Sequence, residues 1–140
     1  MMKKSIYILL LLVVVLVCGC ESHEVATKYD RPDWTVTANS DYSVSMTAAV
    51  QLPEALNPYL TEDDMMAALV GDEVRAIARL YEGIFYLQIP GMEDEQVQVS
   101  IQYWNAKTHY KYRSEEPLQF EENAICGTPD EPLILTFKVL

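Results

Sequence analysis

An all-β domain, a single antiparallel sandwich of seven or eight strands, is the fold class this 140-residue sequence predicts, and three observations predict it. Residues 42–52 and 96–103 alternate apolar and polar side chains with a period of two, the mark of half-buried strands. Turn residues recur between the apolar runs, at Pro53, Asn57-Pro58, Gly71-Asp72, Pro90-Gly91 and Asn105-Ala106-Lys107. No segment makes a convincing crossover helix, which parallel α/β architecture requires. The length suits one domain.

The chain opens with a different signal. Lys3 and Lys4 precede an unbroken apolar run over 6–17. At about 1.5 Å per residue these twelve residues span roughly 18 Å, short of the ~30 Å hydrocarbon core of a bilayer. The run therefore reads as the apolar core of a signal-peptide helix, not a membrane span. The junction Val17-Cys18-Gly19-Cys20 resembles a bacterial lipobox. That resemblance implies cleavage between Gly19 and Cys20 and acylation of Cys20, so 1–19 is a lipoprotein signal peptide and the protein is anchored to the membrane by lipid. Acyl chains contribute about 0.8 kcal/mol per buried methylene, and more than one chain gives stable anchoring. Glu21 follows Cys20, where an Asp would signal inner-membrane retention in enterobacterial lipoproteins, so the outer membrane is expected. The stretch Glu21-Ser22-His23-Glu24 resembles export signals of surface lipoproteins in gut anaerobes, which extends the expectation to the cell surface.

Residues 20–40 then read as the lipidated cysteine and a tether, with Pro32, many charges and little periodicity. Trp34 interrupts that polarity and is expected to pack on the domain or on an edge strand.

Residues 41–140 carry the strands. Tyr42, Val44, Met46, Ala48, Val50 and Leu52 form the inward face of the first. Over 61–81 two signals compete. Thr61 followed by Asp64 imitates a helix cap, whereas Gly71-Asp72 between the apolar runs 66–70 and 74–80 suits a hairpin. Two strands are the expectation here. Residues 84–89 are aromatic and β-branched and stop at Pro90-Gly91. Val97, Val99, Ile101 and Tyr103 face one way, with Trp104 out of phase. Tyr110 and Tyr112 give that strand a hairpin partner. Leu118 and Phe120 form a short strand, and Leu133, Leu135, Phe137 and Val139 form the last.

The stretch 63–78, Asp-Asp-Met-Met-Ala-Ala-Leu-Val-Gly-Asp-Glu-Val-Arg-Ala-Ile-Ala, is similar to a motif of Ig-like surface modules of anaerobic bacteria. Residues 83–91, Tyr103-Trp104, Gly127 and Pro132-Leu133 continue the pattern over roughly 43–135. Val74 and Ala76 stand where the pattern usually has Cys and Gly, and Leu69 stands for Phe. The resemblance implies an Ig-like β-sandwich of the cell envelope and implies no catalytic activity.

Charge and composition narrow the chemistry. The formal net charge of -11 becomes -13 when Lys3 and Lys4 leave with the signal, which excludes a nucleic-acid partner held through its phosphates. Cleavage leaves Cys126 as the one thiol besides the acylated Cys20. With only His23 and His109 as bases, a Cys–His nucleophile is not expected. Asp63, Asp64 and Asp72 are weak metal candidates, since carboxylate oxygens suit Ca²⁺, but no Asp-rich calcium loop accompanies them and a solvated surface is the plainer reading. The acidic groups at 62–64, 72–73 and 93–95 fall in expected turns, where hairpin geometry can bring two of them together. As a glycosidase pair they lack any fixed separation. Trp104 and Tyr103 are candidate ligand contacts: an exposed Trp stacks on a sugar or a protein partner, while burial under a neighbouring loop is the alternative. Arg75 and Arg79, four apart and so expected on one strand face, either recognise an anionic group or pair with the abundant carboxylates. No cofactor is implied. The expected role is non-catalytic binding or assembly at the envelope, with a glycan-binding accessory module and a structural subunit pairing through a sheet edge as the alternatives.

Overall fold

A computed structural model describes residues 26–140 of the chain; the signal peptide, Gly19 and Cys20 lie outside the described residues. The period-two stretches become strands as expected. The chain order is β1 (Val44–Gln51), β2 (Met65–Val70), β3 (Glu73–Ile77), β4 (Arg79–Tyr81), β5 (Ile84–Gly91), β6 (Gln98–Trp104), β7 (Lys111–Ser114), β8 (Leu118–Gln119), β9 (Ile125–Cys126), β10 (Leu133–Ile134) and β11 (Phe137–Val139). One sheet runs β10-β1-β5-β4, with β9 also on β1; the other runs β11-β7-β6-β2-β3, with β8 on β6. Together they make a two-layer β-sandwich.

Alternation builds the core from both layers. Met46, Ala48 and Val50 of β1 and Phe85, Leu87 and Ile89 of β5 meet Met66 and Ala68 of β2 and Val99, Ile101 and Tyr103 of β6. All are buried, and full burial of each large side chain is worth about 1.5–3 kcal/mol.

Two strands are divided where the sequence suggests single ones. The run 74–80 breaks at Ala78, whose N–H still donates to Met66 O at 2.8 Å. Arg79, Leu80 and Tyr81 then pair with Tyr86, Phe85 and Ile84 in the opposite sheet. The second division falls near the C-terminal end. Leu133 and Ile134 lie parallel to Val50 and Gln51, Leu135 is buried at the crossing, and Phe137–Val139 pairs antiparallel with β7. β9 is also parallel to β1, so the antiparallel pattern has two parallel exceptions along one side of β1. Gly127 makes the excursion between β9 and β10 feasible. Its φ is 80°, and a Cβ there would lie 2.6 Å from both Ala49 O and Leu133 N.

The topology gathers the C-terminal ends of β1 and β6 and the N-terminal ends of β2 and β7 at one end of the sandwich. The links 52–64 and 105–110 therefore meet there. The Gly71-Asp72 turn and the loop 92–97 occupy the opposite end.

Candidate functional site

The end where 52–64 meets 105–110 is organised by one carboxylate. Asp64, 7% exposed, accepts five hydrogen bonds: from Thr61 N (3.1 Å), Thr61 Oγ1 (2.8 Å), Tyr103 OH (2.5 Å), Asn105 Nδ2 (3.2 Å) and Ala106 N (2.8 Å). The first reproduces half of a helix capping box, which explains the helix-like sequence signal, yet a strand follows. Asn105 extends the network. Its Nδ2 donates to Tyr59 O at 2.7 Å, and its Oδ1 accepts from Lys107 N and Thr108 N at 3.0 and 2.8 Å. An Asn at this position turns the chain by bonding backbone two and three residues on. Burial, and then the Asp64 hydrogen bond, push the Tyr103 phenol far above its ordinary value, so it stays a donor.

Directly over this network lies a cavity of about 290 Å³. Its walls include the rings of Tyr59, Tyr103, Tyr110 and Tyr112, with Leu56, Asn105 and Thr108. Tyr112 stacks on Tyr103 at 5.8 Å between centroids, and Tyr103 meets Phe85 edge-on at 5.8 Å, so the floor is continuous with the core. Tyr59, on the short helical turn Asn57–Tyr59, is 51% exposed at the mouth. The hydroxyls of Tyr59, Tyr110 and Tyr112 make no hydrogen bond with any described residue, in contrast to Tyr103. Burial raises the Tyr112 phenol, with smaller contributions from Tyr110 and Tyr59.

The residues singled out from the sequence fall in several places. Tyr103 forms the cavity floor. Trp104 is not an exposed platform: it is 4% exposed, its Nε1 donates to Tyr29 O at 3.0 Å, and its ring lies against His109. The cover comes from the segment read as tether. Tyr29 N donates to His109 O at 2.8 Å, Lys28 bridges Tyr110, and the Lys111 ammonium sits 4.3 Å over the Tyr29 ring. Trp34, in the same segment, is half-buried.

Arg75 and Arg79 do not share a strand face, because the chain changes sheet at Ala78 between them. Arg75 is buried at the opposite half of the molecule, paired bidentately with Glu95 at 2.6 and 2.9 Å and with Glu73 at 2.8 Å, and its guanidinium also covers the Tyr42 ring. Two acidic groups are thus brought together, and the cation between them is an arginine. Arg79 is exposed. Asp63 and Asp72 are exposed beyond opposite ends of β2, whose six residues span roughly 20 Å at ~3.3 Å per residue, while Asp64 is occupied by its five donors. Among the described residues no cluster of three His, Cys, Asp or Glu side chains has the arrangement to hold a metal ion. Cys126 is half-buried, and burial pushes its thiol up.

Tyr59, Asn105 and Thr108 carry no catalytic or metal motif in the sequence. The usable signal was indirect: Tyr110 and Tyr112 share a strand face, and Asn57-Pro58-Tyr59 sits in a link that must meet that strand's end.

A second, wider hollow of about 690 Å³ lies on the outer face of the β1–β5 sheet. Small residues Ser45, Thr47 and Ala49 form its floor, and Val36, Ile77 and Ile125 stand exposed around it, Ile125 at 72%.

The geometry defines a two-layer β-sandwich with a tyrosine-lined cavity, free of charged lining residues, at one end. No family model, no curated protein and no solved structure matches the chain.

Proposed function

We propose that the chain is a lipid-anchored cell-envelope protein, held at the outer membrane through Cys20, with a non-catalytic binding role exercised by the tyrosine cavity. One observation carries the binding role: three tyrosines whose hydroxyls have no partner among the described residues line one cavity, and one of them, Tyr112, is packed against the core. The lipobox supports the anchoring, and the docking of Tyr29 adds a consequence. Lys28 lies eight residues after Cys20, a reach of at most about 29 Å at ~3.6 Å per residue. An acylated Cys20 therefore keeps the cavity end of the sandwich close to the bilayer.

The anchoring is tested by labelling cells with an alkyne palmitate analogue. Cys20→Ala abolishes incorporation; labelling that persists contradicts the reading. The binding role is tested by a photo-crosslinking phenylalanine derivative at Tyr59, which traps an envelope component in intact cells, while the same group at Met92, at the other end, does not. Equal trapping at both sites contradicts it.

The exposed Val36, Ile77 and Ile125 favour a second reading, a structural subunit whose partner covers the outer face of the β1–β5 sheet. Under that reading a stoichiometric partner co-purifies and is lost on Ile125→Lys.

A further inference from the structure

We infer that the tyrosine cavity takes a neutral sugar ring, one pyranose unit of a glycan. The inference rests on the binding role proposed above and names its ligand class. Size comes first: at about 290 Å³ the cavity is at the lower edge of the ~300–1,000 Å³ typical of small-molecule sites, enough for one ring and not for an extended chain. Charge comes second. No ionisable acid or base other than tyrosine lines the cavity, so a phosphate, carboxylate or ammonium group has no counter-ion there. The pattern of polar groups comes third. Each free phenol both donates and accepts, which matches ligand hydroxyls, themselves donors and acceptors. The apolar part of the lining, the tyrosine rings with Ala55 and Leu56, supplies the surface on which the C–H face of a sugar rests. Preorganisation comes last: the Tyr112 ring is stacked on Tyr103, and Asn105 fixes the backbone of Tyr59 and Thr108, so the cavity floor and the backbone around it need no rearrangement on binding.

Trp104, the aromatic that the sequence offered for this role, is sealed beneath Tyr29 and takes no part. The site is built instead from two loops and the first residues after a turn.

The test is saturation-transfer NMR on the full lipidated protein in lauryldimethylamine oxide, a detergent without sugar. The probes are the methyl pyranosides of glucose, galactose, mannose and N-acetylglucosamine. At least one receives transfer, strongest at its ring C–H protons. Tyr59→Ala, which keeps the backbone carbonyl that Asn105 uses, weakens binding about tenfold. Tyr112→Phe, which deletes one hydroxyl and no packing, weakens it about three- to tenfold. Tyr86→Ala, on the outer face of the other sheet, leaves it unchanged. Absence of transfer to all four glycosides overturns the inference, as does transfer that survives both cavity substitutions. Should the glycosides fail while the crosslinker at Tyr59 still traps an envelope component, the sugar assignment falls and the binding role stands; loss of both removes the binding role as well.

Discussion

Tyr103 and Tyr112 lie on adjacent strands with their rings stacked, yet their hydroxyls have opposite circumstances. That of Tyr103 donates to Asp64 and accepts from Asn105 at 2.9 Å; that of Tyr112 has no partner among the described residues. The difference separates structure from function at one end of a small sandwich. A buried polar group with every bond made fixes the chain, because leaving its partner unpaired costs about 1–3 kcal/mol. A polar group on a cavity wall with its bonds unmade within the chain contributes little to the fold, and under the proposed binding role it is the group left to meet a ligand.

Deleting the centre of the satisfied network has the largest effect. Asp64→Ala removes the acceptor for five donors and strands the Tyr103 hydroxyl, costing about 3–5 kcal/mol. Thermal unfolding followed by circular dichroism then shows a Tm lower by roughly 10–20 °C. A loss below about 1 kcal/mol breaks the comparison at its root.

The Arg75 cluster at the other half of the molecule sharpens it, because there a charge is the group that must be satisfied. Glu95→Ala leaves the buried guanidinium with Glu73 and Pro90 O alone and costs about 2–3 kcal/mol. The Arg75 hydrogen bonds hold the Glu95 carboxyl below its ordinary value of 4.5. Its contribution is therefore fully present above that value and fades as pH falls through the lower, folded value. Urea titrations across this acidic range give a shallower loss of stability in Glu95→Gln than in the parent.

A smaller effect tests the cover over Trp104. Tyr29→Pro removes the N–H that His109 O accepts and the ring beneath Lys111, at a cost of about 1–2 kcal/mol. In a Trp34→Phe background, Trp104 emission moves to the red and acrylamide quenching rises. Unchanged emission contradicts the docking, and with it the short reach from Cys20.

The alternation rule made much of this fold legible. It placed β1, β6 and the Gly71-Asp72 hairpin, and it put Trp104 on the face opposite Tyr103. What it missed were long-range choices. Whether residues 79–81 stay in their sheet depends on a partner, β5, that only the folded chain supplies, and the same holds for the division at Leu135. The cover on Trp104 arrives from Tyr29, 75 residues earlier. Thr61 and Asp64 give a local signal that is physically real, since the carboxylate does reach back to the Thr61 N–H, but tertiary pairing decides that a strand follows. The cavity was illegible because Tyr59 comes from the link after β1 while Tyr103, Tyr110 and Tyr112 come from the β6–β7 hairpin, and no short motif joins them.

The most direct measurement is a pair of urea denaturation curves, for Tyr103→Phe and Tyr112→Phe, each deleting one oxygen from one of two stacked rings. Tyr103→Phe is expected to cost about 1–3 kcal/mol and Tyr112→Phe no more than about 0.5 kcal/mol. Equal losses would mean that the Tyr112 hydroxyl is already in use within the fold and is not free to meet a ligand.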